Sequence, residues 1–246
     1  MKRMITFILA TLYVSLHVLE CNAQDLMIDH IITLYPDINQ VKAEFSEMGF
    51  NVKPGRMHEN GLENAHLKFS NGSSVELMSL SEKAGDQIAS NYEKLLQENI
   101  NGAYLALSGF TLSFLQKKLD SISLNYEVTH TAAWTYLTFP GYFELQHVFF
   151  LIYQNNHQEN GAFFNHSNGA CAIKEVFIDG NSTIVNLLLA LGVNRCTDTY
   201  TQALAAFNTK TGQIILTEKE NSQKRYSINS YTLKTKFEDT ITIQLD

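Results

Sequence analysis

The chain contains few cysteines, prolines and tryptophans: among its 246 residues there are three cysteines, three prolines and one tryptophan. Three cysteines are too few for a scaffold held together by disulfides, and they form no Cys-x-x-Cys pair and no Cys/His spacing typical of a zinc site. Cys171 and Cys196 are therefore either small apolar core residues or, if the chain is exported, one disulfide pair.

Clusters of basic residues and late apolar runs are also missing. The chain has 18 Lys and Arg against 25 Asp and Glu, a formal net charge of −7, and beyond the first residues its only basic cluster is Lys224-Arg225. Nucleic acid is therefore not an expected partner. No later stretch is long and apolar enough to cross a membrane. The sequence also lacks a GxSxG elbow, a Gly-rich phosphate loop and an HExxH motif.

The first residues resemble an export signal, so residues 1–23 are interpreted as a signal peptide. A short basic start precedes a mostly apolar stretch from Met4 to Val18, and Ala23 is suited to cleavage. The alternatives are a retained membrane anchor, for which the apolar stretch is short, and a lipidated Cys21. We expect a periplasmic or secreted domain of residues 24–246, without stable membrane insertion after cleavage.

The residue patterns predict an α+β fold built of repeated βαβββ units. In the first unit, about residues 26–80, an apolar strand is followed by a helix that Asp37 caps and Gly49 ends. Asn71-Gly72 is a strong signal for a hairpin between its last two strands. A polar helix at about Glu82–Glu98 then leads to the next unit.

A weak internal repeat supports further units of the same kind. A shift of 74 residues aligns Asp37 with Thr111 and predicts a second unit at about 102–153. A third unit is predicted at about 171–217, followed by a C-terminal hairpin at 226–246. Because no clear linker separates the units, one continuous body is expected.

His30 and Glu76 are the strongest candidates for chemistry, because each lies on an apolar face of a predicted strand. A carboxylate in such a place is costly unless it is paired, liganded or protonated. A His–Glu pair suits Zn, Fe, Mn or Ni about equally, so the identity of a divalent metal stays open. The alternative for His30 is a core histidine that is hydrogen-bonded to a backbone carbonyl.

Several of these segments together resemble the glyoxalase-like branch of the vicinal oxygen chelate superfamily over about residues 26–180. They are IDHI (28–31), MGF (48–50), PGRMH (54–58), VEL (75–77), FFLIY (149–153) and HSNGA (166–170). The resemblance implies paired βαβββ modules with curved mixed sheets that enclose a cavity. It also implies a divalent metal held by the first and last strands, a small-molecule ligand and, in some members, a homodimer.

The sequence departs from the full pattern of ligands that this resemblance implies. His30 and Glu76 match the positions on the first and fourth strands. The second unit places Tyr104 opposite His30, and tyrosine is a poor ligand for most such sites. In the third unit Glu175 aligns with His30 and is a candidate third ligand or general base. The strand of this unit that corresponds to the strand of Glu76, QIILTE (213–218), offers only apolar residues opposite Glu76. The alternative for Glu175 is a rim carboxylate that forms a salt bridge with a lysine.

Five further residues are candidates for the site. Arg56 and His58, in a predicted loop at 55–62, are expected to bind an anionic substrate unless the loop is merely solvated. His147 and Trp134 are expected to line the pocket or to pack in the core. His166 is expected either to act in catalysis or to fix its loop by a hydrogen bond.

Two readings of function follow, with a structural scaffold as a third. The first is an exported, metal-dependent lyase, isomerase or dioxygenase that acts on a small oxygenated molecule. The second is a metal-free protein of the same fold that binds or sequesters a small ligand. The incomplete set of ligands favours the second reading, whereas the His30–Glu76 pair favours the first.

Overall fold

The computed structural model describes residues 25–154, 161–196, 203–219 and 225–245, so the expected signal peptide lies outside it. The helices are α1 (Ile38–Glu47), α2 (Gln87–Gln97), α3 (Leu112–Ser121) and α4 (Ser182–Ala190). The strands are β1 (Met27–Leu34), β2 (Lys53–Met57), β3 (Leu62–Lys68), β4 (Ser74–Leu80), β5 (Gly102–Ser108), β6 (Glu127–His130), β7 (Trp134–Thr138), β8 (Val148–Tyr153), β9 (Ala170–Gly180), β10 (Ala203–Asn208), β11 (Gln213–Glu218), β12 (Ile228–Thr235) and β13 (Thr240–Gln244).

The first two units form one sheet of eight strands in the order β2-β3-β4-β1-β5-β8-β7-β6. At its centre β1 and β5 run antiparallel, and each is flanked by the parallel last strand of its own unit. The predicted repeat is confirmed, because α1 and α3 have the same length and begin after Asp37 and Thr111, whose side chains cap them. The predicted α+β class with curved mixed sheets is confirmed as well.

The rest of the described chain forms a five-stranded sheet in the order β10-β11-β9-β12-β13. As in the first unit, the first strand, β9, is parallel to the last strand, β11. The hairpin β12–β13 adds to the other side of β9 through an antiparallel pair. Cys171 and Cys196 are free and partly exposed, so they form no disulfide. None of the described helices is long and apolar enough to span a bilayer.

The main hydrophobic core lies between the two sheets and the helices α1, α3 and α4. Apolar residues of β1, β4 and β5 enter it from the large sheet, and residues of β9, β11 and β12 enter it from the small one. The two sheets come close together where β5 and β12 begin. A methyl group added to Gly102 would lie 1.9 Å from the carbonyl oxygen of Ile228, so only glycine fits there.

The opposite face of the large sheet is covered only in part. Helix α2 packs on it through Ala89, Tyr92 and Leu95, against a second cluster that includes Ile32 and Met78. Beyond α2 this face carries His30 and Glu76, whose side chains are each 15% exposed. We call it the site face.

Candidate functional site

His30 and Glu76 meet on the site face, as their sequence positions predicted. They lie on the adjacent parallel strands β1 and β4, where Glu76 is opposite Ile32. His30 Nε2 and Glu76 Oε2 are 3.6 Å apart. The other carboxylate oxygen of Glu76 accepts a hydrogen bond of 2.7 Å from the amide of Asn64. Glu76 therefore has a fixed orientation, with one oxygen turned towards the imidazole.

A β-bulge in β1 adds a second carboxylate to this pair. The register of β1 against β5 shifts between Ile28 and His30, and the extra residue is Asp29. A bulge re-aims a side chain that regular alternation would send to the other face. As a result Asp29 Oδ1 lies 2.7 Å from His30 Nδ1 and accepts a hydrogen bond of 3.0 Å from the hydroxyl of Tyr153.

The Asp29 carboxyl is held in its ionised form. Burial alone would raise its pKa, but the hydrogen bond and charge of His30, with the hydroxyls of Ser108 and Tyr153, lower it below its usual range. An ionised carboxylate can only accept hydrogen bonds, so His30 Nδ1 carries the proton between them. This bond fixes the ring of His30 with Nε2 directed at Glu76.

His66 also belongs to this group, although the alternation of its strand with the apolar Ala65 and Leu67 favours a solvated face. On β3 it lies directly opposite Glu76, and directly opposed residues of paired strands share a face. Burial lowers the pKa of His66 to about 4, and although the Glu76 carboxylate raises it, the charges of Lys68, His30 and Lys53 lower it further. His66 is therefore neutral at neutral pH.

Arg56 and His58 lie beside this group on the first-unit side. The predicted loop at 55–62 begins only after Met57, because β2 pairs with β3 as far as Met57. The backbone N–H of Arg56 donates to the side chain of Asn64 at 2.9 Å. The pKa of His58 is lowered by burial and by the charge of Arg56, against the opposing effect of Glu76.

A row of aromatic rings forms the second-unit side of the site face. We call Tyr104, Phe149, Tyr136 and Trp134 the ring row. The ring centroids are 6.4 Å apart for Tyr104 and Phe149, 5.8 Å for Phe149 and Tyr136, and 6.3 Å for Tyr136 and Trp134. The row reaches His30, whose ring lies 6.0 Å from Phe149. Trp134, predicted to line a pocket or the core, thus lies on the same face as His30.

The tyrosines of this row are neutral at neutral pH. Burial raises the pKa of Tyr136, and the charge of Glu76 raises it further. Burial also raises the pKa of Tyr104, against the opposing charge of Arg225, which itself pairs with Glu98 at 3.1 Å. The ring row therefore presents uncharged aromatic groups beside the carboxylates.

The pairing registers show how the two halves of the site correspond. The repeat of 74 residues maps His30 onto Tyr104 and Ile32 onto Ala106. Ile32 lies opposite Glu76, whereas Ala106 lies opposite Phe149. Phe149 therefore occupies, in the second unit, the position that Glu76 occupies in the first. The unit that would complete a set of polar ligands supplies two aromatic rings instead.

The residues present do not fit a metal ion held by the protein alone. His30 Nε2 and Glu76 Oε2 are two suitable donors, but their counterparts are Tyr104 and Phe149. The described part of the chain contains no group of three or more His, Cys, Asp or Glu side chains that could hold a metal ion. Zinc centres in proteins have three or four side-chain ligands, so His30 and Glu76 alone do not make one.

Glu175 does not join this group in the structure, because it lies on β9 of the small sheet. Its carboxylate accepts a hydrogen bond of 2.8 Å from Thr232 and lies 3.3 Å from Lys174 Nζ. The predicted alignment of Glu175 with His30 holds, since β9 has its bulge at Lys174 as β1 has at Asp29. These contacts match the alternative of a carboxylate paired with a lysine, and its role as ligand or base stays a prediction.

His166 fixes a loop to the first unit. Its Nδ1 accepts from the backbone N–H of Asn51 at 2.9 Å, so its Nε2–H donates to the carbonyl of Lys68, also at 2.9 Å. Burial lowers its pKa, against the hydrogen bond to Lys68. Both ring nitrogens are thus engaged by the backbone, as the loop-fixing alternative requires, and catalysis by His166 stays a prediction.

His147 is buried between the large sheet and the small one, away from the site face. It is 2% exposed, its Nε2 lies 3.1 Å from the carbonyl oxygen of Asp179, and its ring stacks on that of Tyr226. Burial lowers its pKa to about 4, although the Asp179 charge opposes the shift. These contacts match core packing, and substrate binding by His147 stays a prediction.

Comparison with protein families identifies one match: a model described as a glyoxalase-like domain, over residues 28–185. This range contains every residue of the site face described above. No curated protein matches the chain significantly.

Solved structures show the same fold at low sequence identity. A hypothetical protein from Staphylococcus aureus is 13% identical with a TM-score of 0.62, and the match covers 88% of this chain and 98% of that one. A xylose isomerase-like TIM barrel/4-hydroxyphenylpyruvate dioxygenase fusion protein is 10% identical with a TM-score of 0.55, over 85% of this chain and 36% of that one. These likenesses show the fold alone.

Proposed function

The chain belongs to the glyoxalase-like domain family, and from that premise we propose that it binds a small organic molecule on the site face. The observation that carries this proposal is the contact of two unlike surfaces: the polar group Asp29, His30 and Glu76, and the ring row beside it. His30 contacts both surfaces. Its Nε2 lies 3.6 Å from Glu76 Oε2, and its ring centroid lies 6.0 Å from that of Phe149. A few fixed polar groups beside an aromatic wall are typical of small-molecule sites.

The polar groups of the site are fixed before any ligand arrives. Asp29 is held by Tyr153 at 3.0 Å, and Glu76 is held by Asn64 at 2.7 Å. Groups that are already ordered lose little side-chain entropy on binding. The indole N–H of Trp134 is buried without a hydrogen bond of good geometry among the described residues, although it lies near enough to the Tyr136 hydroxyl to lower the pKa of that tyrosine.

Proton transfer is a second candidate function, and the hydrogen bond between Asp29 and His30 favours it. A carboxylate 2.7 Å from Nδ1 orients the imidazole, as in an oriented general base, and Nε2, 3.6 Å from Glu76 Oε2, is the nitrogen that would take or give a proton. An isomerase or lyase would use this group. The metal-dependent dioxygenase of the first reading would need ligands beyond His30 and Glu76.

Ligand screening by NMR tests the binding proposal. Small alcohols, carbonyl compounds, amines and carboxylic acids are screened by saturation transfer, and the hits are mapped by the side-chain signals of His30 and Tyr104. We expect hits that shift both signals. Phe149→Ala and Glu76→Gln should each weaken them, because one removes aromatic surface and the other a charged acceptor.

Two matched controls separate this site from general effects on the protein. Glu63→Gln changes a carboxylate on β3 that pairs with Lys42 of α1. His130→Gln changes an exposed histidine of β6 that contacts Thr135. Both variants should bind the hits as the wild type does. The proposal would be contradicted by hits that shift neither the His30 nor the Tyr104 signal, or by hits that both site variants bind as well as the wild type does.

A further inference from the structure

The two halves of the site face differ in what they offer a ligand, and the polar half offers acceptors. Asp29 Oδ1 lies 2.7 Å from His30 Nδ1, whereas Glu76 Oε2 lies 3.6 Å from His30 Nε2, which is too long for a hydrogen bond. Glu76 Oε2 therefore keeps acceptor capacity on the site face. A positively charged or hydrogen-bond-donating group placed beside it would satisfy this oxygen.

The aromatic half favours the same sign of charge. The face of an aromatic ring is negative, and a cation within about 6 Å of the ring centroid is attracted to it. Phe149 is within 6.4 Å of Tyr104 and 5.8 Å of Tyr136, measured between centroids. A cation next to Phe149 is therefore within reach of several rings. His30 links this place to Glu76, because its ring lies 6.0 Å from Phe149 between centroids and its Nε2 lies 3.6 Å from Glu76 Oε2.

Three basic groups around the site are neutral or paired, whereas Arg56, Lys53 and Lys68 keep their charges on the first-unit side. The imidazole of His66 is neutral because burial lowers its pKa to about 4. The guanidinium of Arg225, whose charge acts on Tyr104, pairs with Glu98 at 3.1 Å. The pKa of His58 is lowered by burial and Arg56, so this ring is also uncharged at neutral pH.

From these contacts we propose that the site takes an organic ammonium ion, held by the carboxylate of Glu76 and the faces of Phe149, Tyr104 and Tyr136. The same positions explain why the ligand is organic. A metal ion needs lone pairs at the places of Tyr104 and Phe149, whereas an alkylated ammonium group binds to the aromatic faces found there. The inference rests on the proposed small-molecule site and names its ligand class.

Calorimetric titration of the folded protein with matched probes tests this inference. Choline is the cationic probe, 3,3-dimethyl-1-butanol is its neutral isostere, and phenylacetate is the anionic probe. ZnCl₂ and MnCl₂ are titrated separately. We expect choline to bind about tenfold tighter than the neutral isostere, because the isostere loses both the carboxylate and the cation–π contributions.

Variants assign the binding to the named groups. Glu76→Gln should weaken choline about tenfold by removing the charge, and Tyr104→Leu should weaken it about threefold or more by removing a ring face. Tyr104→Phe keeps the ring and should bind choline more tightly than Tyr104→Leu does. Both substitutions place an apolar side chain at position 104, but only phenylalanine keeps an aromatic ring. A difference in choline binding between the two variants therefore reports the ring and not a loss of folding. Glu63→Gln is the carboxylate control.

The outcomes distinguish this inference from the function on which it rests. Equal binding of choline and its isostere, or tighter binding of phenylacetate, on the site face would overturn the ammonium assignment and leave a small-molecule site. Zinc or manganese binding that Glu76→Gln and Tyr104→Leu both abolish would overturn it in favour of a metal. Choline binding that neither variant weakens would also overturn it.

Discussion

At the scale of single residues, the site centres on His30, which lies 2.7 Å from the carboxylate of Asp29 and 3.6 Å from that of Glu76. In the sequence, His30 and Glu76 stand out because an ionisable side chain on an apolar strand is costly without a partner. Asp29 does not, because regular alternation places it on the opposite face and only the bulge brings it to His30. His66 does not stand out either, because its strand alternates cleanly with the apolar Ala65 and Leu67, yet it lies opposite Glu76 on the site face.

His147, a buried histidine outside the site, gives a prediction about acid stability. Burial lowers the pKa of His147 to about 4, whereas an unfolded histidine titrates near 6.5. Between these values the unfolded chain binds a proton that the folded chain does not. Stability should therefore fall as the pH decreases from about 6.5 to 4, by up to about 3 kcal/mol from this residue.

Urea unfolding of wild type and His147→Gln at pH 7, 6 and 5 measures this contribution. The variant loses stability at pH 7 because it alters a buried contact with Asp179, but it cannot titrate. Its deficit relative to the wild type should shrink towards pH 5. His130→Gln, at an exposed position, should follow the wild type at all three values. Parallel curves of unfolding free energy against pH for the wild type and His147→Gln would refute the prediction. The titration of His66 cancels in this comparison, because both proteins contain it.

At the scale of helices and strands, the sequence predicted the helix caps and the internal repeat, but not which strands pair with each other. The caps Asp37 and Thr111, the repeat of 74 and the alignment of Glu175 with His30 all hold in the structure. Which strands pair depends on contacts between distant parts of the chain. The correspondence of Phe149 with Glu76 therefore required the register of β5 with β8.

The meeting of β5 with β12 gives a prediction at this scale. A methyl group on Gly102 would lie 1.9 Å from the backbone oxygen of Ile228, and backbone cannot turn aside as a side chain does. Gly102→Ala should therefore push the two sheets apart and lower the free energy of unfolding by about 1–3 kcal/mol or more. Gly141→Ala is the matched control, since nothing lies within 4 Å of the added methyl group.

Urea denaturation of both variants decides the question. Gly141→Ala should stay within about 0.5 kcal/mol of the wild type, as surface substitutions usually do. If Gly102→Ala were as stable as Gly141→Ala, the close approach of the sheets would not contribute to the fold as described.

At the scale of the whole molecule, the large sheet carries the proposed site while the small sheet closes the other side of the core. The small sheet repeats the bulge of β1 but offers Ile215 where the first unit has Glu76, because Phe177 lies opposite Ile215. The repeat thus preserves backbone geometry while the side chains at the site positions differ. A homodimer stays a prediction, for which light scattering after gel filtration is the direct measurement.

The expected export signal gives the last prediction, because its cleavage must leave the folded body intact. Leu26 is 0% exposed, and its carbonyl accepts a hydrogen bond of 2.8 Å from the backbone of Lys210. Cleavage after Ala23 keeps Leu26, so we expect an exported mature chain that starts near Gln24. Mass spectrometry of the exported protein measures this start directly, and an intact Met1 or a lipidated Cys21 would contradict it.

Truncation separates the cleavage site from the edge of the fold. A chain that begins at Gln24 should unfold at the same temperature as the exported protein. A chain that begins at Met27 loses the buried side chain of Leu26 and its hydrogen bond with Lys210. It should be less stable by about 2–5 kcal/mol, the usual cost of removing a large apolar side chain from a core. Equal stability of the two truncated chains would show that the folded body begins later than Leu26.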